Sequence, residues 1–199
     1  MPMKPSDIVE RCARLVPGLC AIHGIQANSC ILQAKVAILT LKHFRIDAEP
    51  IPCTVMIFNP PFAARLRADN MPKTAEEVRA LEAVDGSYSV GIGWGKDRPG
   101  HWSGHLIVGS QKNKWVMDTS IGQASRPHHQ INLGPILARM PKGFMRGDRH
   151  FIEKNGSLLE YRVTDNQRFR LGNDWTKPSN WQDLVELAVQ AISREGSNL

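Results

Sequence analysis

The chain has 199 residues, of which 42% are hydrophobic and 22% charged, with a formal net charge of +6. These values suit one globular domain spanning 1–199 and exclude a disordered chain. No run approaches the ~18 consecutive apolar residues of a membrane span, and Lys4, Asp7, Glu10, Arg11 and Arg14 leave no apolar core for a secretory leader.

A first helix is expected from Ser6 to Leu15, capped by Ser6 and stopped by Pro17-Gly18. A second is expected over about Cys30–Phe44, capped by Asn28 or Ser29 and apolar on most sides, which makes it central. A strand with Val55, Met56, Ile57 and Phe58 follows and ends at Pro60-Pro61. Residues 62–83 read as helical, broken near Asn70-Met71-Pro72 and restarted by the capping box Thr74…Glu77. Short strands are expected at Ser87–Ile92, Gly104–Val108 and Trp115–Thr119. Asn155-Gly156 turns a hairpin between Phe151–Glu153 and Leu158–Val163. A last helix, Asn180–Ser193, starts with Pro178 and the capping box Ser179…Gln182. Helices, then a mostly antiparallel sheet, then a helix make an α+β order.

The four cysteines, at 12, 20, 30 and 53, contain no C-x-x-C pair and suit neither a disulfide scaffold nor a zinc knuckle. Cys30 stands apart. A thiol in the first turn of a helix meets the positive end of the macrodipole, which favours the nucleophilic thiolate. The bland reading of any free cysteine is a small buried core residue. Cys12, Cys20 and Cys53 have no activating neighbour in the sequence and are read that way.

His105 and Asp118 supply a base and an orienter. If the turn through Ser110–Asn113 is symmetric, residues 108 and 115 face each other, as do 105 and 118. His105 and Asp118 then stand directly opposite on one face of a hairpin, within hydrogen-bond reach. A surface ion pair is the plainer alternative. Together the three residues form the parts list of a thiol nucleophile, its base and the group that holds the base. Gln26 and Asn28 are candidate side-chain donors to an oxyanion, with Asn28 as a plain helix cap the alternative. Trp94 and Trp102 are candidate walls of an acyl pocket.

Cysteine at a helix start, histidine on a strand and aspartate on the next strand form a recognisable order. It resembles the papain-like cysteine proteinase fold in its transglutaminase and arylamine N-acetyltransferase branch. The run His105-Leu106-Ile107-Val108…Lys114-Trp115-Val116-Met117-Asp118-Thr119-Ser120-Ile121-Gly122 is similar to the acetyltransferase pattern. The resemblance covers roughly residues 28–125. It implies a Cys-bearing helix packed on an antiparallel sheet bearing His105 and Asp118, with a helical insertion at about 60–84. It also implies acyl transfer through a thioester on Cys30. No coenzyme motif is recognisable, so a hydrolase, peptidase or deamidase without cofactor is preferred, acting on a protein, a peptide or a small amide or thioester. A usable thiol suits a reducing, cytoplasmic setting.

Other classes fit less well. His101 and His105 are four apart and His128-His129 follow, but Pro99-Gly100 opposes the helix that a zinc pair at this spacing needs. Gly91-Ile92-Gly93-Trp94-Gly95 lacks the following helix of a dinucleotide site and reads instead as a rim loop. Basic and acidic residues alternate without forming a block, which argues against nucleic acid as a partner. The competing class is a non-catalytic protein of the same fold that uses its basic surface for binding.

Overall fold

The computed structural model describes residues 3–25, 29–68, 74–83, 86–98 and 101–196. Helix α1 (Pro5–Ile22) is longer than its sequence implies and runs through Pro17. An interior proline removes a donor and costs about 3 kcal/mol. Here the stripe Ile8, Val9, Cys12, Ala13, Val16 and Cys20 is buried on both sides of the proline, and this packing carries the helix onward. Ser6 does not cap it: Lys4 holds the N-cap position and Pro5 opens the helix.

Helix α2 (Cys30–His43) buries residues around most of its circumference, including Leu32, Ala34, Val36, Ala37 and Leu41. It packs with α1 and with α6 (Gln182–Gly196) into a three-helix layer. A 3-10 turn over Pro178–Asn180 precedes α6 in place of the expected capping box. The helices α3 (Pro60–Ala68) and α4 (Ala75–Glu82) fall where the sequence implies, and the Thr74–Glu77 capping box is formed in both directions. Among the described residues no helix is long and apolar enough to cross a membrane.

The sheet is antiparallel throughout. Its strands are β1 (Glu49–Phe58), β2 (Ser89–Ile92), β3 (His105–Ser110), β4 (Trp115–Asp118), β5 (Ile136–Arg139), β6 (His150–Lys154) and β7 (Ser157–Val163), in the order β5-β4-β3-β1-β7-β6. The long strand β1 organises it. One edge pairs with β7, and the other pairs first with β3 and then with β2. The β6–β7 hairpin turns on Asn155 (φ 51°) and Gly156 (φ 79°), the left-handed pair that an Asn-Gly turn supplies. Strand β5, which carries no clear alternation, escapes a reading from sequence.

Each face of the sheet has its own core. Leu106, Val108 and Met117 face the helices. On the other face Ile51, Cys53, Val55 and Ile57 of β1 meet Ile107, Val116, Leu159 and Tyr161. Outward on β7, the buried Glu160 carboxylate accepts from Arg149 Nε at 2.9 Å and from Arg162 Nε at 2.6 Å. Burial raises the affinity of Glu160 for a proton, yet the two guanidiniums outweigh it and hold the carboxyl below its usual range.

A depressed carboxyl adds stability above its unfolded pKa, and that stability is lost as pH falls through the folded value. Glu160→Gln should therefore lower the unfolding free energy at pH 7 by about 3 kcal/mol. It should also flatten the loss of stability below pH 4.5, the carboxyl's ordinary value. Chemical denaturation at a series of pH values checks both; an unchanged acid limb would refute the assignment.

Candidate active site

Cys30 is the first residue of α2, directly after the Ser29 N-cap, and keeps 8% of its surface exposed. His105 opens β3 and Asp118 closes β4, both buried. The hairpin register differs from the symmetric one: Val108 pairs with Met117 and Ser110 with Trp115. The turn is therefore Gln111–Lys114, with Lys114 left-handed at φ 58°. Ser110 stays in the strand, where its Oγ accepts the Asn113 N–H at 3.1 Å. Two residues of slip preserve the side-chain alternation. His105 and Asp118 still share a face, as diagonal neighbours instead of direct opposites. The side chains close that gap: His105 Nε2 lies 2.8 Å from Asp118 Oδ2.

Asp118 is held from every side. Its Oδ2 also accepts from Tyr161 Oη at 3.0 Å, and its Oδ1 accepts the Ser120 N–H at 3.1 Å and the Ser120 hydroxyl at 3.4 Å. With Nε2 turned to Asp118, Nδ1 is the ring nitrogen left for other partners. Cys30 stands close enough to the imidazole to raise its affinity for a proton, and the Gln123 side-chain amide lies 3.3 Å from Nδ1. Burial disfavours a charged imidazole, but the Asp118 carboxylate and the Cys30 thiol overcome it and push His105 up to about 10. The ring is thus an imidazolium at neutral pH, set between Asp118 and Cys30.

The other thiols differ. Burial pushes Cys12 up to about 12 and Cys20 up to about 11. Cys53 is raised well above its usual value by burial and then by Asp118 and Cys30. It is a core residue as expected, and β1 places it directly opposite His105. All four cysteines are unpaired.

A cleft of about 550 Å³ opens over Cys30, lined also by Gln123, Trp102, Gly104 and Phe169. Trp102 lines the cleft and packs against Phe169 with ring centroids 5.4 Å apart. Trp94 does not line the cleft; its Nε1–H donates to the Val55 carbonyl at 3.1 Å and Arg162 lies over its ring. The two walls are tied by Asp97, which accepts from the Ser103 N–H and from Asn166 Nδ2, both at 2.9 Å. The glycine loop serves the site sterically. Gly93 has φ 81°, and a Cβ there would lie 3.0 Å from both the Cys53 carbonyl and the His105 nitrogen.

Gln26 and Asn28, the expected oxyanion donors, lie outside the described residues. Among the described residues no three metal-ligating side chains form a group. His101 sits on the cleft rim, while His129 stacks on Tyr88 with 3.6 Å between centroids. Two participants escaped the sequence. Gln123 lies in a 3-10 turn whose only signal is its place just after Asp118. Tyr161 looks like any aromatic in a strand, although a buried phenol always needs a partner.

A histidine raised on folding contributes stability that is complete below its unfolded pKa of about 6.5 and lost as pH climbs toward the folded value. Stability should therefore fall from pH 7 toward about 10, and below about pH 8, before the buried thiols contribute, the His105→Gln variant should lack that slope. Ring-nitrogen NMR should show His105 still as imidazolium at pH 8; a neutral ring would contradict the assignment.

No protein-family model matches the chain, and neither the curated proteins nor the solved structures contain a significant match to it.

Proposed function

We propose that this protein is a cysteine-dependent acyl-transfer enzyme of hydrolase, peptidase or deamidase type, acting through a Cys30-His105-Asp118 triad. One observation carries the reading: a thiol at a helix N-terminus, lining a cleft, stands beside an imidazole locked by a buried carboxylate. The order of the three residues along the chain and their α+β setting favour a papain-like, transglutaminase-related fold, with α3 and α4 as an insertion.

The chemistry follows from the positions. The Cys30 thiolate attacks the substrate carbonyl carbon, and the π electrons pass to its oxygen. Backbone N–H groups of the first α2 turn can bind that oxyanion, with the Gln123 amide as a side-chain donor. As the tetrahedral centre collapses, the carbonyl re-forms and the bond to the leaving nitrogen or sulfur breaks. His105 gives its Nδ1 proton to the leaving group. A thioester remains on Cys30. Water attacks it while the now neutral His105 takes a proton, and collapse releases a carboxylic acid and the thiolate. Asp118 fixes the ring through Nε2 and compensates its charge, and Tyr161 and Ser120 fix Asp118 in turn. Substrates of this class are proteins, peptides, or small amides and thioesters, in a reducing cytoplasm.

Timed alkylation tests the proposal without a known substrate. At pH 6, iodoacetamide should label Cys30 at least about tenfold faster than Cys12, Cys20 or Cys53, as read by peptide mass spectrometry. His105→Ala should remove that preference. Equal labelling of all four thiols in the native protein would sink the enzyme reading and leave a binding protein on this fold.

A further inference from the structure

The β3–β4 hairpin has a second concavity at the end opposite the triad. His105 opens β3 and Ser110 closes it, and at ~3.3 Å per residue the two ends lie roughly 17 Å apart. This concavity measures about 610 Å³. Its cationic lining comes from three segments: Lys114 from the turn, Arg139 from the end of β5, and Lys142 and Arg146 from the loop that follows. No aspartate or glutamate lines it.

The backbone that carries these cations is held in place. The Met140 N–H donates to the Lys114 carbonyl at 2.8 Å and ties the loop to the turn. Arg146 binds Asp148 at 3.2 Å. Its guanidinium also lies over Gly143, which has φ 84°; a Cβ there would fall 2.7 Å from Arg146 and 2.5 Å from Asp148. Only glycine leaves room for the arginine in that pose. Lys114, Arg139 and Lys142 make no ion pair among the described residues. Several arginines elsewhere are matched to acids, among them Arg67 to Glu153, Arg149 and Arg162 to Glu160, and Arg168 to Asp97. With Arg146 offset by Asp148, Lys114, Arg139 and Lys142 bring three unbalanced like charges to one hollow, and an anion between them relieves their repulsion.

We infer that this concavity binds a di- or triphosphate group carried by a small molecule. The two guanidiniums offer planar forks to phosphate oxygens, and the two ammonium groups offer mobile point charges. Met140, Phe144 and Met145 line the same hollow and give the organic part of the ligand an apolar surface. The volume is that of an ordinary small-molecule site. A nucleic-acid backbone would call for cations strung along a face, whereas these converge on one corner. The inference is independent of the chemistry at Cys30.

Calorimetric titration with sodium pyrophosphate and sodium tripolyphosphate, at ionic strength fixed with NaCl, tests it. Tripolyphosphate should bind one to one, more tightly than pyrophosphate, and should raise the melting temperature where equivalent NaCl does not. The Lys114→Gln/Lys142→Gln double variant should weaken binding about tenfold or more. Both lysines are exposed, so its melting temperature without ligand should match the native protein's. A Lys177→Gln/Arg194→Gln control removes the same charge at other exposed positions and should bind as the native protein does. Equal losses in both variants, or no binding beyond the NaCl effect, would overturn the inference. So would a single-stranded 20-mer that binds more tightly than tripolyphosphate and loses affinity in the first variant, which would mark a nucleic-acid groove.

Discussion

The buried hydrogen bond from His105 Nε2 to Asp118 Oδ2, 2.8 Å long, is the contact on which the rest of the site depends. Neither partner is solvated, so each must find its compensation inside the protein. An unpaired charge at either position would cost several kcal/mol. Asp118 meets that demand with donors from β3, β7 and the turn after β4, and His105 meets it with the Asp118 carboxylate on Nε2 and with Cys30 beside the ring. The chain has built an electrostatic network that orients one ring toward one thiol.

The network also constrains the sheet. Three strand steps, β4 to β3 to β1 to β7, separate Asp118 from Tyr161. On a flat sheet that is roughly 14 Å, beyond the reach of a tyrosine side chain. The 3.0 Å bond between them therefore requires the sheet to curl around the core of Ile51, Val55, Ile57 and Leu159. Curvature, apolar packing and the placement of the Asp118 carboxylate are one event. Gly93 belongs to it too, because β2 and β3 share an edge of β1 and the chain between them must pass close to the His105 backbone.

Local signals in the sequence read well where short-range physics decides. The periodicity of α2, the Thr74–Glu77 capping box and the Asn155-Gly156 turn all appear as their residues imply. They fail where packing overrides preference: Pro17 stays inside α1 because both flanks are buried. They fail again where a turn chooses its own length, as Gln111–Lys114 does in shifting the hairpin register by two. Even that slip spared the His105–Asp118 pair, since strands alternate with a period of two and diagonal neighbours keep the same face.

Taken alone, the sequence determined that Cys30 begins a helix and that His105 and Asp118 lie on one face of a hairpin, because helix starts and strand alternation are local properties. It determined a diffuse positive charge but not where that charge gathers. Tertiary structure decided the remainder. It brought Tyr161 and Gln123 to the site, set Cys53 opposite His105, turned Trp94 away from the cleft and drew four cations to one corner. Those contacts join residues far apart in the chain, and only the curled sheet and its loops make them neighbours.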